Sequence, residues 1–262
     1  LRQLILSRLN SHRAINRVRV IADGHGLGVM GVWSDSDTRA PFGLRLDLVA
    51  GFDSEIDIVV SRVALFGQAS ISPIDLALLV SDRLALGQLF EPMGPQVYHG
   101  SPLATVLRQA APVYGWKVPQ WHDCRLSSYS LTGEEWTVSF SSGLDFQRDE
   151  DRFPPTHPDA LYTLDQTLRH RDVELELLSK GGDEVKQFYA DRLFDGETSR
   201  WVAERAFQCA TTDTELQAKL LDSAERWLIK DERSLAARML LVHASLAQKH
   251  PEMAERLLFE LA

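Results

Sequence analysis

The spacing of apolar residues changes along this 262-residue chain, and that change constrains its fold more than any other feature. From residue 159 onward, residues such as Leu161, Leu164 and Leu168 recur near the 3.6-residue period of a helix. Between residues 17 and 60, apolar and polar residues alternate instead, which is typical of strands with one buried face. The two patterns predict an α+β protein with a β-rich N-terminal region followed by an all-helical C-terminal region.

The N-terminal region is predicted to be a hairpin-rich β-meander with added helices. Its alternating runs, separated by hairpin-length turns, predict strands at 17–23, 28–33, 43–49 and 55–60. A short amphipathic helix is predicted over residues 1–9. Two segments that begin with Ser-Pro, a cap followed by a favoured first helical residue, predict helices at 73–86 and 102–111. A last hairpin is expected around Thr132 and Gly133, with strands at 124–131 and 134–140.

The domain boundary is predicted at residues 147–159, QRDEDRFPPTHPD, because a charge run and clustered prolines suit neither a helix nor a central strand. This gives a mixed α+β domain at 1–150 and a helical domain at 156–262. The predicted helices of the second domain cover 159–178, 183–194, 198–209, 212–230, 231–248 and 251–261, with Thr212 as the cap of the fourth. Short connections predict a bundle of antiparallel helical hairpins.

The helical pattern in the last part of the chain is also found in repeat architectures. The segment RSLAARMLLVHASLAQKHPEMAERLLFEL has small residues within its helices and a proline at the turn, and in this it resembles a tetratricopeptide-type hairpin. The tripeptide Ala-Glu-Arg occurs at 203–205, 224–226 and 254–256, at unequal intervals. The missing period favours an irregular bundle over a regular solenoid.

Composition limits the classes of function. With 37 acidic and 28 basic side chains the net charge is −9, so nucleic acid is an unlikely partner. Cys124 and Cys209 are the two cysteines, and their separation predicts neither a disulfide framework nor a structural zinc site. Apolar runs such as 76–80 are too short to span a membrane, and the first residues lack a signal-peptide pattern. We therefore expect a soluble, cytoplasmic protein.

Two short motifs match signatures of nucleotide-using proteins. Gly26, Gly28 and Gly31 have the glycine spacing of dinucleotide-binding loops, but the sequence predicts no helix after them, so a hairpin turn that includes His25 is favoured. The tripeptide at 170–172, His-Arg-Asp, matches part of the protein-kinase catalytic loop but lacks the Asn that should follow. It is interpreted as part of an amphipathic helix with solvated charges.

Two further histidine-containing segments are candidate functional sites. Trp121, His122, Asp123 and Cys124 place a thiol beside a possible base, yet neighbours in a strand point to opposite faces, so a structural Cys124 is favoured. His99 precedes the second Ser-Pro helix and is interpreted as a polar loop residue.

Acidic residues form the most informative constellation, which comprises Asp47, Asp53, Glu55 and Asp57. Alternation places Asp47 on one strand and Glu55 with Asp57 on the next, on a shared face. Like charges across a hairpin destabilise it, so this face requires a cation, and Arg45 is a candidate.

A divalent metal such as Mg²⁺ or Mn²⁺ is the alternative cation. Acids on adjacent strands, here with the strand EIDIVV, resemble those of restriction-endonuclease-like nucleases. The resemblance implies metal-dependent hydrolysis with Asp47, Glu55 and Asp57 as catalytic and metal-binding residues. The following segment VALFGQASIS lacks the Glu-x-Lys pair with which those enzymes activate water.

The first hypothesis for function is a non-enzymatic interaction module, an adaptor or assembly subunit without a cofactor. Its helical domain or the domain junction would present the surface for a protein partner or a multiprotein assembly. The alternative is a metal-dependent hydrolase or nuclease that uses Asp47, Glu55 and Asp57. A small-ligand pocket in the α+β region is a third possibility.

Overall fold

The computed structural model describes residues 2–261 except 25, 36–37, 52–53, 70, 116, 118–123, 133–134, 143–152, 195–199, 210–212, 231–234 and 248–249. The chain divides into two compact units. The first, here called the sheet unit, comprises Leu1–Gly67 and Ala77–Leu168. The second, the helical unit, comprises Gln68–Leu76 and Arg169–Ala262. The division after Leu168 falls within a helix, and the domain boundary expected at residues 147–159 stays a prediction.

The first part of the chain combines helices with strands. Its elements are α1 (Arg2–Asn10), β1 (Ile15–Ala22), β2 (Gly26–Ser34), β3 (Arg39–Ala50), β4 (Ile56–Leu65), α2 (Pro73–Arg83), α3 (Leu86–Leu89), β5 (Glu91–Pro92), β6 (Val97–Gly100), α4 (Pro102–Val113), β7 (Cys124–Thr132) and β8 (Glu135–Ser142). Strands β1 to β6 form one antiparallel sheet in the order β1-β2-β3-β4-β6-β5. Strands β7 and β8 form a separate hairpin.

The rest of the described chain is helical. Its elements are α5 (Pro158–Lys180), α6 (Gly182–Phe194), α7 (Arg200–Cys209), α8 (Thr214–Lys230), α9 (Leu235–Ala247) and α10 (Pro251–Leu261). An antiparallel β-rich region followed by helices confirms the predicted α+β class. None of the described helices is long and apolar enough to cross a membrane.

The two faces of the large sheet bury different residues. On one face, Leu46, Leu48 and Ile58 are buried, and alternation along β3 and β4 gives this face its apolar character. On the other face, Val59 and Val97 pack against Ala160 in the first turn of α5. The second face also carries Asp47, which is fully buried.

Two arginines mark irregularities in the sheet. Arg17 and Arg62 have positive φ angles of 55° and 50°, and the strand registers shift beside both. Such bulges redirect a side chain. Arg62 forms an ion pair with Asp159 at the start of α5.

The core of the helical unit is built from small residues as well as large ones. Tyr189, Leu220 and Leu240 are fully buried there, and alanines such as Ala203 and Ala206 occupy neighbouring positions. Short side chains let helices approach closely, so the core is dense.

One helix start is completed by a residue distant in sequence. Ser72 Oγ accepts a hydrogen bond from the backbone N–H of Asp75 at 3.1 Å, which caps α2 as predicted. Asp75 Oδ1 in turn accepts from the backbone N–H of Arg200, the first residue of α7, at 2.9 Å. Burial raises the pKa of Asp75, and these hydrogen bonds only partly oppose that rise.

The predicted helix at 73–86 was wrong at its end. Helix α2 stops at Arg83, and Ala85 takes a left-handed conformation with φ of 58°. Gly87, the residue after the predicted end, lies inside the short helix α3. The predicted cap Thr212 and the linker residues 147–152 lie outside the described residues.

Candidate functional site

A histidine held between two carboxylates lies where β4 pairs with β6. Asp57 is directly opposite His99 in the strand register. His99 Nδ1 is 2.8 Å from Asp57 Oδ1, and its Nε2 is 3.1 Å from Glu55 Oε2. The interpretation of His99 as a loop residue was therefore wrong, because it belongs to a strand. We call Glu55, Asp57 and His99 the histidine cluster.

The charges of the histidine cluster determine what it can do. Burial alone would lower the pKa of His99, but hydrogen bonds and charge from Asp57 and Glu55 outweigh burial and raise it. A histidine whose two nitrogens both face carboxylates is stabilised as an imidazolium, which has no lone pair for a metal or a substrate proton. The cluster is partly exposed, and its contact between Asp57 and His99 joins β4 to β6.

Asp47 lies on β3 in a different set of contacts. Arg45 Nη2 donates to Asp47 Oδ1 at 2.9 Å, and Ser61 Oγ donates to Asp47 Oδ2 at 2.6 Å. Arg45 also forms an ion pair with Asp23, and the hydrogen bond to Asp23 raises the pKa of Arg45 further above its usual value. The prediction that Arg45 supplies a cation to the acidic face is confirmed for Asp47.

This placement bears on the alternative metal site. Asp47 is engaged by Arg45 and Ser61, while Glu55 and Asp57 contact His99. Within the residues that the structure describes, no three His, Cys, Asp or Glu side chains are grouped so that they could hold a metal ion. The hypothesis that Asp47, Glu55 and Asp57 together bind Mg²⁺ or Mn²⁺ gains no support from the geometry. Asp53 lies outside the described residues.

The glycine motif lies in a strand and not in a turn, which corrects the sequence interpretation. Gly26 begins β2, and Gly28 and Gly31 follow within it. A Cβ atom on Gly26 would lie 2.5 Å from Asp47 Oδ1 and 2.6 Å from the backbone oxygen of Leu46. Gly26 is thus required for the close approach of the Asp47 side chain. His25 lies outside the described residues.

A second buried charge cluster, in the helical unit, was not predicted. Glu174 on α5 is only 7% exposed and accepts a hydrogen bond from Tyr189 on α6 at 3.1 Å. It also forms an ion pair with Arg205 on α7. Burial raises the pKa of Tyr189 to about 12, with the charge of Glu174 adding to the effect. The sequence holds one sign of this cluster. Glu174 lies three residues before Leu177, and this helical spacing places it on the packed face of the helix.

The other motif residues that the structure describes lie in helices or strands. His170 of the His-Arg-Asp tripeptide lies within α5, as predicted, with its Nε2 2.7 Å from Arg192 Nη1. Cys124 begins β7, and its neighbours Trp121, His122 and Asp123 lie outside the described residues. Burial raises the pKa of the Cys209 thiol, which lowers its thiolate fraction and its reactivity.

The chain was compared with protein-family models, with curated proteins and with solved structures. No family model matches it, and no curated protein or solved structure matches it.

Proposed function

We propose that the protein is a non-enzymatic interaction module that binds a protein partner through its helical part. The supporting observation is a row of leucines on α5, comprising Leu161, Leu168, Leu175 and Leu178, which we call the leucine stripe. Each of the four is between 43% and 52% exposed.

Spacing distinguishes the leucine stripe from scattered surface leucines. Leu161, Leu168 and Leu175 are seven residues apart, and Leu178 follows three residues later. Residues at these intervals share one face of a helix and form the seam of helix pairs. Other positions of α5 already have packing partners, since Ala160 and Glu174 are buried. The leucine stripe therefore offers an apolar seam to a helix of a partner.

The geometry of the sheet unit agrees with a non-enzymatic function. The imidazole of His99 is fixed by Asp57 and Glu55, and the carboxylate of Asp47 is fixed by Arg45 and Ser61. These groups make contacts with one another that a catalytic acid, base or metal ligand would have to give up.

The test is site-specific photocrosslinking in cells of the source organism. A photoreactive residue replaces Leu175 in one variant and Leu246 in another. Leu246 lies on α9 and is 51% exposed, so it matches Leu175 in residue type and exposure. We expect a discrete protein adduct at position 175 that is absent at 246 and is lost when Leu168→Ser is added.

Two results would overturn the proposal. The first is the absence of any adduct at 175 that depends on Leu168. The second is thermal stabilisation of the purified protein by Mn²⁺ or Mg²⁺ that disappears in Asp57→Ala, because that result would favour metal-dependent chemistry. Sedimentation of the purified protein over a range of concentrations identifies the partner as a second copy if Leu168→Ser abolishes a dimer.

A further inference from the structure

The sheet unit contains an apolar cavity of about 140 Å³. Its floor is the apolar face of the large sheet, where Leu46, Leu48 and Ile58 are buried. All the side chains that line it are leucine, isoleucine, phenylalanine or tryptophan. An engineered apolar cavity of about 150 Å³ binds benzene, so this volume suits a small organic molecule.

The hairpin β7–β8 contributes to the wall of this cavity. Leu131 and Trp136 are opposite each other in the hairpin register, and both line the cavity. The hairpin is attached to the sheet because the hydroxyl of Tyr129 donates to the backbone oxygen of Leu48 at 2.7 Å. At the other side Leu4 of α1 lines the cavity while 55% exposed, so the cavity extends from a buried floor to the solvent.

One polar atom among the lining residues is unsatisfied. Nε1 of Trp136 is buried and has no hydrogen-bond partner within the part of the chain that the structure describes. A buried indole N–H usually finds an acceptor, since leaving it unpaired is costly. Because this nitrogen is itself buried, an atom in the cavity does not reach it, and the lining side chains offer a ligand hydrocarbon contacts alone.

We propose that this cavity binds a small neutral apolar molecule without hydrogen-bonding groups, such as a substituted benzene. The apolar walls exclude a charged ligand, because a charge would lose its hydration without gaining a partner. The volume limits the ligand to roughly the size of a substituted benzene. This site is separate from the leucine stripe, and neither proposal depends on the other.

The test compares two probes of almost the same shape, acetophenone and α-methylstyrene, which differ by a carbonyl oxygen in place of a methylene group. Binding to the full chain is followed by ligand-observed NMR. We expect α-methylstyrene to bind saturably and acetophenone to bind about tenfold more weakly, because its carbonyl oxygen would lose hydration without gaining a partner.

A filling variant tests the position of the site. Leu84→Phe places a larger side chain in the cavity wall and should abolish binding of both probes. Leu246→Phe makes the same substitution at an exposed position of α9 and should leave binding unchanged. If Leu84→Phe does not fold, Leu89→Phe, at another lining residue, replaces it. The proposal fails if α-methylstyrene does not bind, if the filling variant still binds it, or if acetophenone binds as tightly as α-methylstyrene.

Discussion

The two units each bury a carboxylate beside an arginine, yet they neutralise it differently. In the sheet unit, Asp47 pairs with Arg45 on the same strand, and Arg45 has a second anion in Asp23. In the helical unit, Glu174 pairs with Arg205, which lies 31 residues away. Among the described residues, Glu174 is the one carboxylate that forms an ion pair with Arg205.

This difference shows how separation along the chain controls both stability and predictability. A pair two residues apart on a strand shares a face whatever the rest of the fold does. A pair that joins different helices exists only once those helices have packed. The local pair is therefore readable from sequence, and the distant pair depends on tertiary structure.

The largest expected effect comes from breaking the distant pair. Glu174→Ala should destabilise the helical unit by about 4 kcal/mol, because it removes the carboxylate paired with the Arg205 guanidinium and the acceptor for the Tyr189 hydroxyl. Asp47→Ala should cost only about 2 kcal/mol, since Arg45 retains Asp23. Urea unfolding followed by far-UV circular dichroism measures both. Glu176→Ala, an exposed position on the same helix, is the control, and equal losses for Asp47→Ala and Glu174→Ala would contradict the comparison.

A buried histidine close to two arginines extends the comparison. His12 is 4% exposed, and burial followed by the charges of Arg83 and Arg13 lowers its pKa to about 4. Its neutral form is thus favoured by folding, so the contribution is complete above pH 6.5 and is lost as the pH falls towards 4. The loss should reach about 3 kcal/mol.

His12→Asn tests this prediction, because its amide oxygen can still accept the hydrogen bond from the N–H of Ala14 that His12 Nδ1 now accepts. Unfolding free energies measured between pH 7 and pH 4 should fall less steeply in the variant than in the wild type. Identical pH dependences would show that His12 is protonated without cost.

The third effect concerns how closely the local pair is packed. Gly26→Ala should destabilise the sheet unit by roughly 2–3 kcal/mol, because the new methyl group would meet Asp47 and a backbone oxygen. Gly28→Ala on the same strand should be nearly neutral, since the nearest atom to its Cβ would be 3.7 Å away. Thermal unfolding of the two variants measures this difference in stability. A similar loss of stability in both variants would contradict the prediction, because it would show that alanine is poorly tolerated throughout β2.

The smallest effect concerns the histidine cluster at the sheet surface. The pKa of His99 is raised in the folded state, so its contribution is fully present below pH 6.5 and is lost as the pH rises through the folded pKa. Because His99 and Glu55 are partly exposed, we expect His99→Gln to lower stability by no more than about 1 kcal/mol at pH 6 and by less at pH 9. A larger loss of stability at pH 9 than at pH 6 would contradict this prediction.

The strands and helices could be predicted largely from local periodicity. Alternation identified β1 to β4, and helical spacing identified α5 to α10, because both signals lie within single elements. The short strands β5 and β6 were missed, since two and four residues carry too little pattern. The place of β6 depends on pairing with β4, some 40 residues earlier in the chain, and β5 in turn pairs with β6.

The candidate sites also differ in how far local sequence predicts them. Arg45 was identified as a counter-ion because strand alternation brings it to Asp47. The contact between Asp57 and His99 spans 42 residues, so no pattern of neighbouring residues predicts it. The cavity is harder still, because its lining residues look like ordinary core positions and a void depends on packing at the scale of a single methylene group.

The hydrogen bond from the backbone of Arg200 to Asp75 has a consequence for the timing of folding. The two residues are 125 positions apart. A ribosome that adds about 5–20 residues per second needs roughly 6–25 s to make that length of chain. During this interval residues 68–76 have already been synthesised while the helices that share their unit have not. The helical unit is therefore completed late in synthesis, and a fragment that starts at Arg169 would lack the acceptor for the first N–H of α7.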